Sequence, residues 1–157
     1  MKKLTVSRQV ATKIKQGQSL LEKEDIELLP ALDQPVQLLA GDGHSLGVGY
    51  LSEQNKGIGW FVSSEPLSFD LAFFQELFTR AKSYRSSYYA DASTTAFRLF
   101  NQEGDGFGGF TVDLYGEYVV FSWYNPYVFR IKETILSSFQ AVFPEVRGAY
   151  EKIRFKG

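Results

Sequence analysis

Residues 97–123 read FRLFNQEGDGFGGFTVDLYGEYVVFSW, and the placing of their glycines decides the fold of the second half of the chain. Three β-rich runs are separated by two glycine turns. Gly104-Asp105-Gly106 signals a tight turn, because glycine reaches positive φ without steric cost. Gly116 marks a second turn, between Leu114 and Tyr118. In the middle run Phe110, Val112 and Leu114 share one face, while Thr111 and Asp113 share the other. The pattern is a meander of half-buried strands, with Arg98 on the first strand placed to pair with Asp113 on the second. Gly104, Gly106 and Gly109 also satisfy the spacing G-x-G-x-x-G of a dinucleotide-binding turn. That mechanism needs a helix straight after the glycines, so that free N–H groups meet a phosphate. The residues that follow alternate as a strand, so the motif reads as a turn.

Working outward, Ser68 is placed as an N-cap and Asp70 adds negative charge to a first turn, predicting a helix over 69–86. Leu71, Phe74, Phe78 and Ala81 form its apolar stripe. Arg80, Lys82 and Arg85 gather near its C-terminus, where the helix dipole favours cations. Residues 86–95 read as a loop. On the other side of the meander Asn125-Pro126 breaks the sheet. Val128, Ile131, Ile135, Phe139, Val142 and Phe143 then predict a second amphipathic helix that covers one sheet face and stops at Pro144. Residues 147–152 return as a strand.

The front of the chain has a different texture. Residues 1–16 carry Lys2, Lys3, Arg8, Lys13 and Lys15 and no acidic residue. Val6, Val10 and Ile14 recur every fourth residue, so 7–16 reads as a short helix capped by Ser7 and stopped by Gly17. A solvated basic face is the plain reading of those cations. From Glu22 to Asp33 the sign reverses, and Leu20-Leu21 and Leu28-Leu29 suggest small strands or an irregular connection. Pro30 and Pro35 bracket a loop. A strand over 36–40, a Gly41-Asp42-Gly43-His44 turn and a strand over 46–51 form a hairpin, and a further strand runs from Gly57 to Ser63. His44 sits in the hairpin turn beside Asp42 and reads as an exposed turn residue, since no nucleophile is tied to it by a recognised spacing.

Composition narrows the chemistry. Of 157 residues, 44% are hydrophobic and 16% aromatic, enough for packed cores, and the net charge is −1, so any nucleic-acid contact must be a local patch. There is no cysteine and one histidine, which excludes disulfides, thiolate or multi-histidine metal sites and a cysteine nucleophile. No apolar run approaches the ~20 residues that span a bilayer, and the start carries no run fit for a signal peptide. A soluble cytoplasmic protein that binds neither membrane nor metal is expected.

Arg98-Leu99, Glu103, Asp105-Gly106, Gly109, Val112-Asp113 and Tyr115-Gly116 together resemble a pattern in the PUA-domain-containing, S-adenosylmethionine (SAM)-dependent methyltransferases that modify cytosine C5 of large-subunit (23S) ribosomal RNA. Gly47, Gly49 and Tyr50 match that family's Gly-x-Gly-aromatic strand, and the stretch from Phe69 to Arg85 resembles its linking helix. The resemblance implies an α+β chain: a small PUA-like β-barrel (1–66), a linking helix and loop (67–94), and a small mixed α/β sheet domain (95–157) holding the motif residues Arg98, Asp105, Gly106, Gly109, Asp113, Tyr115 and Gly116. It also implies ribosomal RNA as partner, a possible homodimer, and RNA contacts at Arg8, Lys13, Lys15, Gly17, Gly49 and Tyr50. For Gly49 and Tyr50, close backbone packing at a barrel corner competes with RNA contact.

The family's catalytic and cofactor motifs lie beyond the segment matched here, so the chain is expected to be a fragment lacking the catalytic domain. It would bind no SAM itself. Asp105 and Asp113 flank one hairpin with Glu103 close by, an arrangement that could suggest an acid–base pair. Asp105 reads more simply as a turn former and Asp113 as the partner of Arg98. The expected role is therefore RNA binding and substrate positioning. The alternative is a protein-interaction module whose aromatic-rich sheet docks a partner domain.

Overall fold

The computed structural model describes residues 1–156, which fall into two compact units: Met1–Leu67 with Asn125–Tyr127, and Ser68–Tyr124 with the residues from Val128 onward. The first unit runs β1 (Lys2–Thr5), α1 (Arg8–Lys15), β2 (Leu20–Glu22), β3 (Gln34–Leu39), β4 (Ser45–Gln54) and β5 (Gly57–Ser63). Its strands form one sheet in the order β1-β3-β4-β5-β2, with β1 parallel to β3 and the other pairs antiparallel. Ser7 caps α1 as expected, its Oγ accepting the Val10 N–H at 3.2 Å, and Gly17 follows the helix at φ 95°. Val10, Ala11 and Ile14 bury one side of α1 in an aliphatic core with Leu4, Val36 and Leu38.

Two local expectations for this unit need correction. Pro35 does not bracket a loop; it lies inside β3, opposite Tyr50. It is tolerated because the ladder with β1 begins one residue later, at Val36, and leaves Pro35 without a neighbour on that side. Strand β1 itself was not anticipated from its basic tetrapeptide, in which Leu4 alone is buried.

The second unit comprises α2 (Leu71–Tyr84), α3 (Ser86–Ala90), β6 (Ala96–Asn101), β7 (Phe110–Tyr115), β8 (Tyr118–Trp123), α5 (Lys132–Val142) and β9 (Gly148–Ile153); α4 (Pro126–Arg130) begins in the segment assigned to the first unit. The meander β6-β7-β8 forms as expected, and β9 joins parallel to β8 after the α5 crossover. The stretch 67–94, read as a link, contributes α2 and α3 to this unit. Asp70, not Ser68, is the N-cap of α2, accepting the Phe73 N–H at 3.0 Å. The buried stripe is Phe74, Leu77, Phe78 and Ala81, while Leu71 stays exposed. Residues 86–90 are helical and not loop. The single helix expected over 128–143 is broken at Ile131 into α4 and α5.

The core here is aromatic. Phe100 stacks on Phe110 at 4.7 Å, Phe78 meets Phe100 and Phe139 edge-on at 5.2 and 5.4 Å, and Phe139 stacks on Phe143 at 4.6 Å. Such offset and edge-on pairs add about 0.5–1.5 kcal/mol each beyond area burial. The opposite sheet face is not uniformly polar. Thr111 and Ser122, directly paired, are buried at one end, whereas Tyr115 and Tyr118 are exposed at the other. Among the described residues no helix is long and apolar enough to cross a membrane.

Candidate nucleic-acid interface

On α1, Arg8 and Lys15 are exposed and seven residues apart, so a helix of 3.6 residues per turn brings them close to one stripe. No ion pair involves either among the described residues. Lys13 differs. Its Nζ lies 3.6 Å from Asp25, whose side chain is nearly buried and whose Oδ2 accepts the Glu22 N–H at 2.8 Å. Much of that charge is already answered inside the unit. Lys2 and Lys3 are exposed on β1, beside a cleft of about 700 Å³ whose other wall carries Glu24 and Glu27. The uncompensated positive stripe is thus Arg8 and Lys15, with exposed Gly17 closing the helix.

Gly49 and Tyr50 lie elsewhere, in the interior. A Cβ on Gly49 would sit 2.2 Å from the Trp60 carbonyl oxygen, so glycine is required for β4 and β5 to approach. Tyr50 is fully buried; its ring stacks on Tyr127 at 4.5 Å and its hydroxyl accepts an N–H of Asn125 at 2.9 Å. Neither reaches a macromolecular ligand without unpacking the sheet. Their burial supports the close-packing reading of both residues, the one that competes with RNA contact.

In the second unit the motif residues build two ion pairs. Arg98 and Asp113 are opposite in register and pair through Nε–Oδ1 at 2.9 Å and Nη2–Oδ2 at 3.2 Å, as expected. Asp105 is more than a turn former. It accepts two bonds from Arg85, at 2.9 and 2.7 Å, and the Asn101 N–H at 2.6 Å, with its side chain 5% exposed. Arg85 also donates to the carbonyls of Arg98 and Ala81. The helix dipole is the local reading of Arg85, because a separation of 20 positions from Asp105 carries no local signal. Gly106, at φ 108° with Leu77 Cδ2 2.7 Å from where a Cβ would stand, turns the chain back beneath α2.

No catalytic constellation forms around these groups. Gly104 lies in a 3-10 turn over Gln102–Asp105, and past Gly106 and Gly109 the chain enters β7 and not a helix, so the residues present do not fit the pyrophosphate of a dinucleotide. They do not form the strand-to-helix turn expected of a SAM pocket either. His44 is an exposed turn residue whose ring nitrogen contacts Asp42; the His44 N–H bonds hold the Asp42 carboxyl below its ordinary range. Partial burial pushes Glu103 up, yet the neighbouring Asp105 is committed to Arg85. Among the described residues no group of three His, Asp or Glu is placed to hold a metal.

Residues 4–64 match a model of the PUA-like domain. The chain is 36% identical over 160 residues to YwbD of Bacillus subtilis (strain 168), a protein described by similarity to ribosomal RNA large subunit methyltransferases, spanning 99% of this chain and 40% of that protein. It is 30% identical over 118 residues to ribosomal RNA large subunit methyltransferase I of Shewanella amazonensis, spanning 74% of this chain and 30% of the relative. Among solved structures it superposes with a TM-score of 0.96 and 45% identity on SMU.776, a methyltransferase complexed with SAH, covering 99% of this chain and 41% of that one. The chain therefore spans about two fifths of the length of the first of these relatives and of the solved structure.

Proposed function

We propose that this chain is the RNA-binding and substrate-positioning portion of a SAM-dependent methyltransferase that modifies cytosine C5 of 23S ribosomal RNA in the cytoplasm. In this reading residues 1–66 form the PUA-like RNA-binding domain, 67–94 the connecting segment that carries α2 and α3, and 95–157 a middle domain. The observation that carries it is the pairing of a PUA-like match over 4–64 with an α1 stripe whose Arg8 and Lys15 stand exposed and unneutralised. Such cations bind phosphate by displacing condensed counterions, independently of base sequence. When bound elsewhere in the enzyme, SAM would supply the methyl group. The residues here grip RNA and hold it in place.

The alternative of a protein-docking sheet is less well supported. Phe100, Phe110, Phe121 and Trp123, which make the sheet aromatic, are buried in its own core. The test is fluorescence anisotropy of this chain with large-subunit ribosomal RNA fragments across a salt series. Affinity that falls with salt, by a slope of roughly 0.7 per neutralised phosphate on single strands, supports the reading. Absence of binding at low salt overturns it.

A further inference from the structure

The second unit contains a cleft of about 720 Å³ that the proposal above leaves without a role, bounded by the end of α2, by α3 and by β6. Two tyrosines stand at its mouth: Tyr84 is 76% exposed and Tyr88 is 49% exposed. A single exposed aromatic needs no explanation, but two beside one cleft, over a partly buried Phe97, make a coherent wall. The Tyr88 ring is held 5.2 Å from the Phe97 ring, which limits its freedom before any ligand arrives. Ser87, Thr94 and Asn101 add polar groups to the lining.

Charge decides what kind of ligand fits. Arg85 and Arg98 both border the cleft, but each is neutralised by an aspartate through two bonds. A phosphate would find no net positive charge there. A flat, uncharged ring with hydrogen-bonding edges would find aromatic walls and polar groups beside them. Arg98 commits three of its five N–H groups to Asp113 and Asn101, so the guanidinium retains donors for a carbonyl edge. The Arg85–Asp105–Asn101 network fixes the end of β6 and with it the shape of the site.

We infer that this cleft is a stacking site for one unpaired nucleobase, a reading that rests on the chain's binding RNA. The division of labour is then physical: the α1 stripe takes phosphates and confers salt dependence, and the cleft takes a base and does not. Stacking of one base on an aromatic side chain contributes about 1–3 kcal/mol.

The test measures binding of this chain to short single-stranded RNA, with and without abasic positions, alongside the variants Tyr84→Ala/Tyr88→Ala and Tyr84→Phe/Tyr88→Phe. The alanine pair should weaken binding about 5- to 150-fold, with the slope of log affinity against log salt unchanged. The phenylalanine pair should retain most of the affinity, and abasic RNA should bind wild type and alanine variant equally. Unchanged affinity in the alanine pair overturns the inference, as does a weakening that persists on abasic RNA or flattens the salt slope. A separate arm titrates cytidine and uridine monophosphate and follows amide shifts by NMR. Shifts confined to Tyr84, Tyr88 and Asn101 in a chain that binds no RNA would retire the RNA reading and keep the cleft. No shift and no RNA binding would retire both.

Discussion

In the first unit Arg8 and Lys15 stand exposed on α1 with no carboxylate in ion-pair range among the described residues, whereas in the second Arg85 and Arg98 are each gripped by an aspartate through two bonds. In sequence the two sets look alike: basic residues near a short helix. Their surroundings make one a surface for a polyanion and the other part of the fold. The cores differ in the same spirit. An aliphatic cluster packs beneath α1 in the first, where Gly49 lets two strands close on each other, and stacked phenylalanines fill the second. A cation's role is thus read from what faces it, and each unit can be perturbed to test that.

The largest effect should come from Asp105→Ala. It would leave the Arg85 guanidinium, 15% exposed, without its counter-charge and the Asn101 N–H without its acceptor. Breaking such a partly buried pair costs about 3–5 kcal/mol, measurable as a lower urea midpoint. A loss under about 1 kcal/mol would mean that Arg85 is no more structural than a surface charge. Next in size is Gly49→Ala in the first unit. The new methyl would meet backbone at 2.2 Å, which a rotamer change cannot relieve, so stability should fall by about 1–3 kcal/mol.

A smaller coupling is expected between Arg98 and Asp113. Their side chains are 47% and 19% exposed, and a double-mutant cycle should give about 0.2–1 kcal/mol. Additive losses would show that register alone, and not the ion pair, holds them opposite. The smallest effect belongs to Glu103. Burial raises its folded pKa above the unfolded value, so its ionisation disfavours the fold; stability is lost as pH rises from the unfolded towards the folded pKa. Glu103→Gln should remove that pH dependence and, because the side chain is mostly exposed and screened by solvent, gain no more than about 0.5 kcal/mol at neutral pH. Destabilisation at neutral pH would mean that the carboxylate makes an interaction the amide cannot.

Much of the architecture was legible, for reasons that are local. The meander declares itself through alternation between glycines, and α1 through Ser7 and a four-residue apolar repeat, both matching the structure. What escaped were features decided at a distance. Strand β1 exists because β3 offers it a parallel edge, and nothing in Lys2-Lys3-Leu4-Thr5 announces that. Arg85 finds Asp105 only once α2 lies over the turn. Tyr50 carried an aromatic ring compatible with RNA stacking, and only the fold shows it sealed against Tyr127 and Asn125. Of the residues first assigned to RNA, Arg8, Lys13, Lys15 and Gly17 lie on or beside α1. Among these, Arg8 and Lys15 are the exposed cations outside any ion pair among the described residues.

That stripe carries the central claim, and charge reversal tests it most directly. Arg8→Glu/Lys15→Glu should weaken binding to large-subunit ribosomal RNA fragments across sequences alike. It should also reduce the slope of log affinity against log salt by roughly 0.7 for each single-strand phosphate that is no longer neutralised. Arg80→Glu, an exposed cation on α2 outside any ion pair among the described residues, serves as the control, because Arg85 is committed to Asp105 and its change would also affect stability. If the α1 double variant keeps both affinity and slope while Arg80→Glu loses them, the phosphate-binding surface lies on the second unit and its assignment to α1 is wrong.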